Sequence, residues 1–141
     1  MGILAILWAR FAVGYCISGG ARGASDEIVQ HNGVGTVEIT DFFADTFGKI
    51  WTSCGNCSGN KGPREVILKG VIAKGGTVFA GANSNYGDTA TIANSCGVTP
   101  SKMCQIYEGC DKSKGDCESA KLSTGFDEKT CIDGDGNTAI C

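Results

Sequence analysis

Residues 48–57 read Gly-Lys-Ile-Trp-Thr-Ser-Cys-Gly-Asn-Cys, a short apolar run that ends in a tight Cys54–Cys57 turn. Lys49 precedes the turn, and Lys61 and Arg64 follow it. The same texture extends outward on both sides. Ala24–Gly33 (ASDEIVQHNG) comes before, and Gly81–Ile92 (GANSNYGDTATI) comes after. In each block a β-prone triplet is bounded by Gly, Asn, Asp or Ser, the residues of sharp turns.

The triplets fall into two interleaved series. One runs through Ile28, Ile50, Val78 and Met103; the other runs through Val37, Val66 and Ala90. Spacings of roughly 22 to 29 residues are those of stacked coils, each too small to bury its own face until a neighbour covers it. The expected fold is therefore all-β, a parallel β-solenoid. An antiparallel sandwich is the structural alternative, because period-2 runs between turns suit that too. Asp41–Phe47 is the nearest thing to a helical pattern, and a strand is the simpler reading of it.

Composition points the same way. The chain holds 22 glycines in 141 residues, and each would cost about 1 kcal/mol inside a helix relative to alanine. A formal net charge of −3 carries no basic excess, which argues against nucleic acid as a partner. Nine cysteines, six of them from Cys96 onward, point to structural disulfides and a secreted, extracellular setting. The pairing is not readable from spacing. Nine is odd, and Cys16 stands apart as the expected leftover thiol.

Three regions follow. Residues 1–18 form an atypical apolar N-terminus. Met1–Gly14 (MGILAILWARFAVG) is apolar enough for a signal-like core or for a strand pair, but it lacks a basic start, carries Arg10, and is too short to span a membrane. Residues 19–110 form the solenoid. Residues 111–141 are a polar, Cys-rich tail expected to cap or wrap one end or side of it.

Two metal-like motifs have plainer readings. Cys54-Gly-Asn-Cys57 has no second Cys-x-x-Cys, and the chain's one histidine, His31, is not at ligand spacing; a disulfide is expected there rather than zinc. Asp133-Gly-Asp-Gly-Asn137 lacks the glycine and the terminal glutamate of a calcium loop and reads as a solvated turn. Asn83, Asn85 and Asp88 suit hydrogen bonding between coils.

Five blocks together resemble polysaccharide lyase family three, the pectate lyases: residues 19–33, 47–58 (FGKIWTSCGNCS), 62–64 (GPR), 83–92 (NSNYGDTATI) and 104–109 (CQIYEG). The resemblance covers roughly residues 19–110 in order. It implies a right-handed parallel β-helix and a secreted enzyme that cleaves polygalacturonate (pectin) in the plant cell wall by β-elimination. In that reaction a basic side chain takes the C5 proton of a uronate whose carboxylate is bridged by calcium.

The chain departs from the pattern where the chemistry lies. The family reads Asp-Lys where this chain has Asp26–Glu27, so an acid occupies the position of the base. It reads Arg-Ser-Cys-Gly-Asn-Cys where this chain has Thr52-Ser53-Cys54, so a hydroxyl replaces the second cation. The calcium-holding Glu-Asp pair belongs about one coil before Asp26, yet Met1–Ile17 contains neither Asp nor Glu. Calcium is expected for the family, with no ligands identifiable here.

Glu27 and Thr52 are thus the candidate catalytic positions, both substituted. Lys49, Arg64 and His31 are the candidate substrate-binding residues. The resemblance implies an N-terminally truncated, diverged member with weak or absent lyase activity. The alternatives are a non-catalytic pectin-binding or effector protein, or a gene fragment. A β-helix without its first coils would expose an apolar end and self-associate.

Overall fold

The computed structural model describes residues 5–7, 12–98, 102–136 and 141, with backbone alone for 5–7, 12, 13 and 15–17. The side chain of Cys16 and most of Met1–Gly14 therefore lie outside the described residues, as does Asn137.

Eleven described strands follow one another: β1 Ala5–Leu7, β2 Ala12–Ile17, β3 Gly20–His31, β4 Gly35–Thr40, β5 Phe43–Ser53, β6 Arg64–Lys69, β7 Ile72–Asn83, β8 Thr89–Ala93, β9 Cys104–Glu108, β10 Ala120–Thr124 and β11 Cys131–Asp133. The odd strands up to β9, with β10, make one sheet in the order β1-β3-β5-β7-β9-β10; the other runs β11-β8-β6-β4-β2. Every pairing is parallel except β9 with β10. This is a parallel β-helix, and the sandwich alternative is excluded.

Corners stack as strictly as strands. Ile17, Thr40, Lys69 and Ala93 are in register, and the residue after each, Ser18, Asp41, Gly70 and Asn94, has a positive φ of 54°, 52°, 66° and 45°. Short polar side chains and glycine tolerate that left-handed backbone, so each coil turns at the same place. A second left-handed stack, Gly23, Thr46 and Gly75, bends the three long strands within themselves.

The series Val37, Val66, Ala90 is a true register ladder on β4, β6 and β8. The other series needs one correction. Trp51 pairs with Ala80 and Lys49 with Val78, so Phe79 rather than Val78 follows Ile50. Ile28, Ile50, Phe79 and Met103 are at most 2% exposed, the central stack of the core. Thr77-Val78-Phe79-Ala80 is apolar at three successive positions, and composition alone does not say which residue points inward. Each member of this stack is followed by a second buried residue: Val29, Trp51, Ala80 and Cys104. Two adjacent inward side chains break strand alternation, so the long strands bend again here.

The tail joins the helix rather than merely covering it. β11 extends the second sheet beside β8, and Cys131 is disulfide-bonded to Cys104 of β9. Further disulfides join Cys54 to Cys57, Cys96 to Cys141 and Cys110 to Cys117.

Candidate functional site

Parallel register brings Glu27, Lys49 and Val78 into one row across β3, β5 and β7. A second row runs Gln30, Thr52, Gly81 and Gln105. Between these rows lies a polar groove of about 310 Å³. Glu27, Lys49, Thr52 and Tyr107 line it, with Asp26 and Gln30 at one side.

β3 carries an extra residue between Ala24 and Glu27, a β-bulge that shifts the register. Without it Glu27 would face Ile50. The bulge restores a polar partner, the kind of re-aiming that bulges provide. Gly48 sits opposite: a Cβ there would lie 2.6 Å from the carbonyl oxygen of Asp26. The floor depends on a second glycine. At Gly81 a Cβ would come within 2.8 Å of Thr52 Oγ1, 3.1 Å of Tyr107 Cε2 and 3.3 Å of Lys49 Cδ, so three side chains lie down over a bare backbone.

Lys49 Nζ donates to Glu27 Oε1 at 3.3 Å, and both side chains are mostly covered. Burial pushes the Glu27 carboxyl above the usual carboxylate range; Lys49 opposes that rise and neighbouring Asp26 adds to it. Thr52 is 7% exposed, and its hydroxyl contacts the carbonyl oxygens of Ser53 and Gly81, both at 3.4 Å. The groove side of the sheet thus presents one ammonium already paired with a carboxylate, and a neutral hydroxyl.

His31 and Arg64 stand elsewhere. His31 is 3% exposed, packed edge-on against Trp51 with ring centroids 5.8 Å apart. Burial, with the Arg64 charge adding, lowers its pKa to about 4. Arg64 is 2% exposed and donates from Nε and Nη2 to the carbonyl of Asn32, at 3.1 and 2.7 Å. Both side chains are buried and do not line this groove. The sequence shows a basic residue after a loop, not which way the loop folds it.

The asparagine turn is structural, as its pattern suggested. Asn83 Nδ2 donates to Ser53 Oγ, Cys54 O and Asp88 Oδ2, while Asp88 Oδ1 accepts from the backbone N–H of Arg64. Asn85 and the backbone of Gly109 exchange two hydrogen bonds of 2.8 Å.

Several residues of the groove carry no motif of their own. Gly81 and Tyr107 are the coil successors of Thr52 and Asn83, which register alone could have found. Glu118 and Ser119 line the groove from the tail. They arrive there because Asn56 Nδ2 donates to Cys117 O and Cys110 N to Gly55 O, around the Cys110–Cys117 disulfide. That pairing is not written in the spacing of cysteines.

A calcium ion takes six to eight oxygens, with carboxylates prominent among them. Among the described residues no three of His, Cys, Asp and Glu converge on a common point. Glu27, the best-placed carboxylate, is taken up by Lys49. The described residues do not fit a protein-held calcium ion.

The pectate lyase family profile matches residues 8–114. Probable pectate lyase F of Aspergillus terreus is 49% identical over 108 residues, which is 77% of this chain and 44% of that protein. Pectate lyase H of Emericella nidulans is 46% identical over 110 residues, 77% of this chain and 41% of that protein. The chain thus spans less than half the length of these curated relatives. Among solved structures, pectate lyase PelI from Erwinia chrysanthemi in complex with tetragalacturonic acid superposes with a TM-score of 0.70 at 27% identity, covering 92% of this chain and 44% of that one. A Pectobacterium carotovorum pectate lyase at 24% identity shares the fold, with a TM-score of 0.69, over 99% of this chain and 50% of that one. With its β-helix, its groove and a family match over most of its length, the chain belongs to the pectate lyase family.

Proposed function

We propose that this chain is a secreted, wall-directed protein that binds pectic galacturonan in the groove over Lys49, Thr52 and Gly81 and turns it over weakly or not at all. The observation that carries this reading is the Glu27–Lys49 pair. β-Elimination needs a free base at C5 and positive charge facing the carboxylate that accumulates density. Where the resemblance puts the base there is a carboxylate, and the groove's ammonium is bonded to it at 3.3 Å. A threonine hydroxyl in the second cation's place supplies a dipole but no charge. Burial raises the proton affinity of Glu27, which favours proton acceptance, but its pairing with Lys49 occupies it; it is the substitute base through which any residual turnover would run.

Binding asks less of the site than catalysis. The tetragalacturonic acid complex of the PelI structure supports galacturonan as the ligand class, and the polar groove supplies hydrogen-bonding groups along one face. The four disulfides among the described residues suit an extracellular setting. Affinity electrophoresis tests the reading. Migration should be retarded in a gel containing pectin and normal in one containing dextran; equal mobility in both gels contradicts it.

A further inference from the structure

We infer that the groove selects methyl-esterified galacturonan over the free polyacid, with Asp26 and Glu118 as the repelling carboxylates and Glu27 as the residue that takes up the one lining cation. The inference rests on the reading of the groove as a pectin-binding site and adds the chemical form of the polymer.

Four ionisable side chains other than the Tyr107 phenol line the groove: Asp26, Glu27 and Glu118 against Lys49. The one cation is already engaged by Glu27 at 3.3 Å. Outside that ion pair two exposed carboxylates line the groove, Asp26, which also contacts Glu27, and Glu118. A free uronate meeting them repels each by about 1 kcal/mol at 4 Å in bulk water, and by more where the groove walls exclude solvent. No calcium-holding cluster exists among the described residues to bridge like charges. A methyl ester removes the repelling charge and keeps the carbonyl as an acceptor.

The floor matches the same ligand. Over Gly81 lie the Thr52 hydroxyl, the edge of the Tyr107 ring and a Lys49 methylene, 2.8, 3.1 and 3.3 Å from where a Cβ would stand. The two carbons offer a small uncharged contact for the C–H face of a sugar or an ester methyl, beside a neutral hydroxyl.

The intact protein is titrated with two galacturonans of equal chain length, one heavily methyl-esterified and one de-esterified, by fluorescence or calorimetry in low-salt buffer with chelator. The esterified polymer is expected to bind at least about tenfold tighter, and the ratio should narrow as salt screens the groove. Glu27→Lys should reverse the order or bring the two together, and the near-isosteric Glu27→Gln should narrow it, which guards against misfolding of the first variant. Equal or tighter binding of the de-esterified polymer by the unmodified protein overturns the inference while leaving pectin binding intact. Failure to bind either polymer overturns the binding reading itself, and the inference with it. Repeating the titration in excess calcium separates an external bridge: a de-esterified polymer that becomes the tighter ligand only then places the bridging charge in solution and upholds the repulsion.

Discussion

Glu27 and Lys49 stand side by side because β3 holds one more residue than β5 between their shared register points, Ala24 with Phe47 and Glu27 with Lys49. A parallel ladder without that bulge would put Glu27 beside the buried Ile50. The bulge needs room, and Gly48 supplies it. The groove's electrostatics therefore depend on a backbone irregularity one residue from each charged side chain.

Gly48→Ala should break this arrangement. A new Cβ 2.6 Å from the Asp26 carbonyl meets backbone, which cannot swing away as a side chain can. We expect a loss of about 1–3 kcal/mol in chemical denaturation, as for overpacking of a tight site.

Lys49→Ala leaves the half-covered Glu27 without its cation. The Glu27 pKa, already raised by burial, then rises further, so the cost of keeping it ionised is present above that pKa and disappears as pH falls. Thermal melts should show a destabilisation of about 1 kcal/mol at pH 8 that shrinks towards pH 4. A pH-independent loss would mean that the packing of the lysine stem, not the charge pair, is what matters.

His31 should govern part of the acid sensitivity. Its folded pKa of about 4 lies below the model-peptide value of 6.5, so the unfolded chain binds the proton first. The stabilisation is complete above about pH 6.5, declines as pH falls through that window, and is gone below about pH 4. The full effect is on the order of 3 kcal/mol. Replacing His31 with Gln should flatten the melting temperature across this interval, measured against the parent's slope.

Core position separates two adjacent residues. Phe79→Ala should cost about 3–5 kcal/mol, because Phe79 is fully buried between Ile50 and Met103. Val78→Thr, on the half-exposed row beside Lys49, should cost less than about 1 kcal/mol. The reverse order would mean that the register ladder is misplaced by one residue.

Much of this was legible in the sequence. The step from Ile28 to Ile50 is the step from Glu27 to Lys49, so the coil spacing contains the pairing that only the structure makes explicit. The ladder Val37, Val66, Ala90 needed only spacing. Spacing points to Val78 where the structure has Phe79, because neighbouring apolar residues leave the inward face undecided. The burial of His31 and Arg64 is not legible, because charge and polarity do not report it; the folded turns bury both and give Arg64 the Asn32 carbonyl. Glu118 and Ser119 were invisible since they come to the groove through a disulfide pairing and hydrogen bonds between distant segments.

The most direct test of the account is absorbance of unsaturated uronate product from purified protein with polygalacturonate and with esterified pectin, at alkaline pH, in calcium and in chelator. The account predicts little or no product on either polymer, with retardation in pectin gels preserved. Sustained, calcium-dependent product formation at rates typical of enzymes, on the order of 1 per second or above, would contradict it. Such turnover would show that a free base and a metal site operate in a groove where Glu27 and Lys49 leave neither.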